Sequence, residues 1–176
     1  MPLTKIKSLG ITDGTITGDD INSTFNLTGK TVTLPAGTGG KVLQVVSGTD
    51  STSRSTTSTS YVTTNLSVSI TPSSASSKIL VLISQNGVYK DGTGNGTDIE
   101  FRRGATSLGT IAENAGGENS GSYSIGTGAS TCYLDSPNTT SAITYETFFR
   151  RTGDNGAAYV QVYGTLSIIT CLEIAG

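Results

Sequence analysis

The chain has 176 residues and a formal net charge of −2, and only 14% of its residues are charged, against about 25% in ordinary soluble domains. It contains no concentrated basic stretch and no apolar run long enough to span a membrane, so we expect neither nucleic acid nor a membrane as a partner. It also lacks histidine, the commonest general base, which removes the usual triads and zinc sites and favours a non-enzymatic protein without cofactors.

Residues 1–40 differ in texture from the rest and are predicted to form an extended N-terminal arm with short strands or a hairpin. Three isoleucines recur every five residues, which fits neither a helical period nor a long strand. Four further apolar residues suggest a small hairpin around Gly29, and the stretch 35–40 suggests a linker. So little apolar surface cannot fold alone, so we predict that the arm anchors on a capsid or subunit surface. The predicted anchoring residues are Ile11, Ile16, Ile21, Phe25, Leu27, Val32 and Leu34.

From residue 41 to residue 176, short apolar runs between turn residues predict an all-β domain, a β-sandwich or jelly roll. Five consecutive apolar residues at 79–83 predict a central strand buried on both faces. Other strands are predicted at 42–46, 61–70, 99–103, 107–112, 157–163 and 165–174, and polar loops at 47–59, 91–97 and 113–128.

Residues 133–151 are predicted to form a β-hairpin that holds the domain together. Its turn, 135–139, is rich in turn formers, and Pro137 fixes φ there. In the second strand, alternation places four residues on one face. These are Ile143, Tyr145, Thr147 and Phe149.

The stretch 91–96 and the two cysteines are the candidates for metal binding or thiol chemistry. The stretch 91–96 resembles the start of an EF-hand loop, but Arg102 stands where the closing glutamate belongs, so we favour a solvated loop over a metal site. Cys132 and Cys171 lie in predicted strands, and we expect two buried free thiols, with a disulfide left open.

Two Phe-Arg-Arg strings occur, at 101–103 and 149–151. Paired guanidinium groups could bind an anionic glycan or a neighbouring subunit. We favour the simpler interpretation, in which the arginines sit at solvent-facing strand ends and pair with Glu100 or Glu146.

An ordered set of short strings resembles a domain family common in phage virion proteins, especially those of marine and cyanobacterial phages. The strings cover much of residues 41–176, and residues 11–21 resemble the short repeats that precede such domains in phage fibres. The matching strings are Ser60–Pro72, Ser76–Val81, Phe101–Gly109, Tyr133–Tyr145 and Leu172–Gly176.

The resemblance implies a trimeric jelly-roll or β-sandwich module of a virion, without catalytic residues. The arm of only some forty residues favours a capsid decoration protein, of the cement or head-fibre type, over a full tail fibre. We therefore expect a homotrimer that binds the major capsid protein or another virion protein. Because the N-terminus has no apolar signal region, assembly in the host cytoplasm is expected.

The alternative is a tail-fibre tip that recognises host surface glycan through the loops at 85–97 and 113–128. These loops contain few aromatic residues, Tyr89 and Tyr123, which weakly disfavours a sugar-stacking platform.

Overall fold

The computed structural model describes residues 41–116 and 127–176, in which ten β-strands and no α-helix are found. The predicted arm and its seven anchoring residues lie outside the described residues, so both stay predictions. The strands are β1 Val42–Asp50, β2 Arg54–Thr56, β3 Val62–Ile70, β4 Lys78–Lys90, β5 Thr97–Arg103, β6 Thr106–Ala115, β7 Thr127–Asp135, β8 Ile143–Arg151, β9 Ala158–Val160 and β10 Ser167–Ile174.

The strands form two antiparallel sheets with the order of a jelly roll. One sheet has four strands in the order β3-β8-β5-β6. The other sheet has six strands. β1 pairs with β10, β2 pairs with β9, and both β10 and β9 pair with β4, which also pairs with β7. If β1 with β2, and β9 with β10, are taken as two interrupted strands, each sheet has four. Apart from the β1–β2 and β9–β10 interruptions, β5 and β6 are the only consecutive described strands that lie in the same sheet. The other described connections cross from one sheet to the other, which is the jelly-roll pattern. The predicted all-β jelly roll is confirmed.

The core lies between the two sheets and follows from period-2 alternation. On β3, buried Leu66, Val68 and Ile70 alternate with exposed Ser67 and Ser69. Two hydrophobic clusters fill the interior. The first contains Leu66, Val68, Ile70, Ile79, Val81, Ile83, Phe101, Tyr145, Ile169 and Cys171, and the second contains Val88, Ile99, Ala129, Phe149, Ala158 and Val160.

The predicted hairpin at 133–151 is wrong in its pairing, although both of its strands exist. β7 pairs with β4 in the six-stranded sheet, whereas β8 pairs with β3 and β5 in the four-stranded sheet. The polar stretch 136–142 therefore crosses from one sheet to the other, a step of about 10 Å. The predicted inward face of β8 is confirmed, since Tyr145, Thr147 and Phe149 are buried and Ile143 is half-buried.

Two predicted boundaries differ from the structure because local geometry interrupts the strands. The predicted loop 47–59 contains the last four residues of β1 and the whole of the short strand β2. The predicted strand 157–163 ends at Val160, where Gln161 and Tyr163 adopt left-handed φ of 52° and 58° around a 3-10 turn.

A bulge in β4 accommodates this turn. The register of β4 against β7 shifts between Gln85 and Val88, and Gly87 has a φ of 60°. A Cβ at Gly87 would meet Thr165 Oγ1 and lie 2.6 Å from the backbone nitrogen of Val162. Only glycine allows this close approach at this φ.

Candidate interaction surfaces

The outer face of the six-stranded sheet carries an aliphatic row that runs across four strands. The register aligns Val45 on β1 with Leu172 on β10, Leu172 with Leu80 on β4, and Leu80 with Leu134 on β7. Val45 is 57% exposed and Leu134 is 51% exposed, while Leu80 and Leu172 are half-buried. We call these four residues the aliphatic row. An antiparallel sheet with one face in water normally places polar residues on that face.

The surroundings of the aliphatic row are almost free of charge. Toward one end of the sheet, the register aligns Val42 with Ile174 and Ile174 with Lys78. Lys78 is the charged residue among the outward positions of the four strands that carry the row. Toward the other end, two rows are mixed serine, threonine and apolar residues. They are Ser47, Thr170, Leu82 and Cys132, and then Thr49, Ile168, Ser84 and Ser130.

The two cysteines lie on opposite faces of this sheet and are both free. Cys171 points into the core, and burial raises the pKa of its thiol to about 12. Cys132 lies beside Leu82 on the outer face and is exposed, so the prediction of two buried thiols is wrong for Cys132. A strand shows alternate residues to opposite faces, and register against β4 decides which face is outside.

β4 differs from its prediction on the same outer face of the sheet. It lies between β10 and β7, which confirms a central strand. Its inward residues Ile79, Val81 and Ile83 are buried, but outward Leu82 is 39% exposed in the single chain. The prediction that β4 is buried on both faces is therefore wrong for the single chain.

The outer face of the four-stranded sheet is charged and aromatic instead. The guanidinium carbon of Arg102 lies 4.2 Å from the ring centroid of Phe148, and that of Arg150 lies 4.6 Å from the ring centroid of Tyr61. Both distances are in the range of cation–π contacts. Arg102 also pairs with Glu100.

The arginine pairing agrees only in part with the favoured interpretation. The pairing of Arg102 with Glu100 is as expected. Arg150 Nη2 instead donates to Asp98 Oδ2 at 2.8 Å, and Arg103 donates from Nη1 to both oxygens of Asp135, at 2.8 and 2.6 Å. Asp98 is the cross-strand neighbour of Arg150, whereas Asp135 reaches Arg103 from β7 in the opposite sheet.

Buried polar contacts tie the two sheets together. Tyr145, on β8, is fully buried and donates its hydroxyl to Asp135 Oδ2, on β7, at 2.6 Å. Burial and the neighbouring carboxylate raise the pKa of Tyr145. Because Arg103 also reaches Asp135, one carboxylate joins β5, β7 and β8 across the sandwich.

A second buried carboxylate, Glu173 on β10, fixes the edge of the six-stranded sheet. Its Oε1 accepts from the backbone nitrogen and hydroxyl of Ser73, each at 2.7 Å, and its Oε2 accepts from Gln44 Nε2 at 2.6 Å. Burial by itself raises a carboxyl pKa, but these hydrogen bonds outweigh it and lower the pKa of Glu173 to about 2.

The Gly-rich loop after β4 is closed by its own contacts. Asp91 accepts from the backbone nitrogen of Ala157 and from the Tyr159 hydroxyl, and the buried Asn95 donates to the carbonyls of Asp91 and Ala157. Within residues 41–116 and 127–176, no group of three or more His, Cys, Asp or Glu residues could hold a metal ion. The same ranges contain no helix long and apolar enough to cross a membrane.

The aliphatic row was not among the sequence-predicted site residues. Its signal was present at 79–83 and in much of 168–174, where consecutive residues are apolar apart from Thr170 and Glu173. Such a run predicts burial on both faces. In the structure the outward side chains of these strands are instead partly exposed.

No family model and no curated protein matches the chain. Three solved structures show a distant likeness. The crystal structure of the infectious bursal disease virus VP2 subviral particle is 13% identical, with a TM-score of 0.45, and the match covers 89% of this chain and 41% of that one. The structure of the Gx strain of the same virus is 15% identical, with a TM-score of 0.44 and coverages of 77% and 33%. That of the Gt strain is 13% identical, with a TM-score of 0.40 and coverages of 83% and 42%. The chain spans less than half of the length of these proteins, and the likeness is too distant to assign a role.

Proposed function

We propose that this chain is a non-enzymatic structural protein of a phage virion, namely a homotrimeric capsid decoration protein of the cement or head-fibre type. The observation that carries the proposal is the aliphatic row, because it lies on a sheet face almost free of charge, and contiguous apolar patches on soluble proteins often mark interaction sites. Such a surface favours a chain that works inside an assembly. The ordered strings that resemble phage virion domains support the proposal that this assembly is a virion.

The proposed mechanism is mass action in assembly. The N-terminal arm binds the major capsid protein or another virion protein, and the jelly-roll domains associate as a trimer. Each interaction that exists only in the assembled state adds to the stability of the particle. The charged outer face of the four-stranded sheet and the Ser/Thr-rich loops keep the assembly soluble.

The experiment measures particle binding by the full-length chain. Ile11, Ile16 and Ile21 are changed together to serine, and the protein is co-sedimented with particles of the virus that encodes it, grown without this protein. We expect the variant to remain in the supernatant, because the arm loses its apolar anchors. Threonines at 12 and 17, changed to serine, are the matched control and should sediment with the particles. If the isoleucine variant decorates particles as the wild type does, the arm is not the anchor.

Copy number separates the head from the tail. Quantitative mass spectrometry of purified virions should find this chain in numbers comparable to the major capsid protein. A few copies per virion would instead identify a tail component and would contradict the decoration role.

A tail-fibre tip that recognises host glycan is the second candidate. Two aromatic rings, Tyr61 and Phe148, lie among charged side chains on one outer face, a composition that sugar sites share. Guanidinium groups already cover these rings, which leaves less aromatic face for a sugar. Binding of the chain to host cells, abolished by Tyr61→Ala and unchanged by Tyr163→Ala, would favour this candidate.

A further inference from the structure

We infer that the aliphatic row is the surface on which a second copy of this chain docks. This inference rests on the homotrimer in the proposed function and names its interface: the outer face of the six-stranded sheet, centred on Val45, Leu172, Leu80 and Leu134. The four-stranded sheet stays outside, in solvent.

The contrast between the two outer faces selects the buried one. The outer face of the four-stranded sheet carries Asp98, Glu100, Arg102 and Arg150, joined in ion pairs. The face around the aliphatic row carries Lys78 at one corner. Charged residues are depleted in interface cores, so the second face has the composition of an interface.

The face can supply more than half of the area of a subunit contact. Four strands at about 4.8 Å and about seven residues at about 3.4 Å give a projected area on the order of 450 Å². Side chains that stand out from the sheet raise the accessible area above this projection. A stable interface buries about 800 Å² of accessible surface on each partner.

The near absence of charge favours a copy of the same chain as the occupant. Around a threefold axis, three copies of the same face converge, so like charges on that face would repel one another. Here the copies meet with aliphatic and hydroxyl-bearing side chains. Interfaces between identical subunits are also more apolar than those between different proteins, and most soluble oligomers are built from identical chains.

Cys132 provides a reporter on β7, at one border of this face. It is adjacent to Leu82 across the strands and two residues from Leu134. Its exposure in the single chain means that iodoacetamide reaches it in a monomer. When a second copy covers the face, alkylation of Cys132 is expected to slow several-fold.

The test compares full-length variants by light scattering after gel filtration, with Cys132 alkylation measured on the same samples. Leu134→Lys introduces a charge into the aliphatic row, and Ser67→Lys introduces the same charge at an exposed position on the outer face of the four-stranded sheet. We expect an oligomer for the wild type and for Ser67→Lys. For Leu134→Lys we expect at least about a tenfold rise in the dissociation constant and rapid alkylation. Val45→Lys, with Ser69→Lys as its control, repeats the test at the opposite edge and replaces the first pair if Leu134→Lys does not unfold cooperatively.

Each outcome decides between occupants. An oligomer that persists in both row variants places the interface elsewhere and overturns the inference. A monomeric wild type with rapidly alkylated Cys132 also overturns it and leaves the face to a different virion protein. A monomeric wild type with slowly alkylated Cys132 would mean that another segment of its own chain covers the face. The particle-binding experiment is independent: an oligomer that the row variants disrupt, but that does not bind particles, contradicts the proposed function and supports the interface.

Discussion

Replacing Glu173 by glutamine should destabilise the domain by an amount that depends on pH. The carboxylate is fully buried and accepts three hydrogen bonds, two from Ser73 and one from Gln44. In Glu173→Gln, one oxygen becomes an NH₂ group. If the remaining oxygen keeps Ser73, the new NH₂ group faces the Gln44 amide as donor against donor. Gln44 cannot simply turn its amide, because its Nε2 also donates to the Thr71 carbonyl at 2.7 Å.

The magnitude follows from these contacts. A hydrogen bond to a charged group contributes about 1.5–3 kcal/mol, so the loss of one at pH 7 predicts a destabilisation of about 2–3 kcal/mol. The lowered pKa of Glu173 arises from the same hydrogen bonds and gives a figure of similar size. A folded-state pKa of about 2 against an ordinary value of 4.5 corresponds to about 3 kcal/mol, at about 1.4 kcal/mol for each unit of pKa. Solvent screening makes this figure an upper bound.

The pH dependence has a definite sign. Because folding lowers the pKa of Glu173, its charged form contributes stability above pH 4.5, and this contribution is lost as the pH falls toward about 2. Glutamine does not titrate in this range. The stability difference between wild type and Glu173→Gln should therefore be largest at pH 7 and reduced by about half near pH 3.

The assay is urea unfolding followed by circular dichroism at several pH values, at one protein concentration, because association adds to apparent stability. Glu113→Gln, on the exposed surface of β6, is the matched control and should change stability little at any pH. A Glu173→Gln variant as stable as wild type at pH 7, or a difference that stays constant down to pH 3, would refute the assigned role of the carboxylate.

Three further predictions concern the interior. Gly87→Ala should destabilise the fold by more than about 2 kcal/mol in urea unfolding. Gly104, its control, is also at positive φ but has open space around a Cβ, so Gly104→Ala should destabilise the fold by only about 1 kcal/mol. Equal destabilisation by both variants would contradict the close approach at Gly87. Tyr145→Phe should cost about 1–2 kcal/mol by leaving Asp135 without one donor, and a neutral result in thermal unfolding would show that this hydrogen bond contributes nothing. Cys171, whose thiol pKa burial raises to about 12, should stay unalkylated at pH 8 until urea unfolds the domain, as peptide mapping by mass spectrometry would show; labelling of the native protein would place this thiol near the surface.

Local alternation predicted the parts of the fold that depend on one strand at a time. The inward residues of β3 and β8 could be identified because successive side chains point to opposite faces in any strand, whatever its partner. The Gly, Pro and Asp residues between runs marked most strand ends for the same local reason. The three-residue β2 was not predicted, since its Arg-Ser-Thr has no apolar alternation and its strand geometry comes only from pairing with β9.

Strand pairing was beyond local patterns. A connection such as 136–142 has similar composition whether it closes a hairpin or crosses between sheets, so the pairing of β7 with β4 could not be inferred. The partners of Arg103 and Arg150 were missed for the same reason, because Asp98 lies on the neighbouring strand and Asp135 in the opposite sheet.

By itself, the sequence determined that this protein is built from β-strands and which side chains of several strands face the core, because both properties repeat along the chain with the period of the strand. Only the tertiary structure decided that the strands follow jelly-roll order, that Cys132 faces outward, and that Val45, Leu172, Leu80 and Leu134 align in one row. The physical reason is register: residues distant in the chain become neighbours only when backbone hydrogen bonds align their strands, and a shift of one residue would turn each strand's side chains to the opposite face.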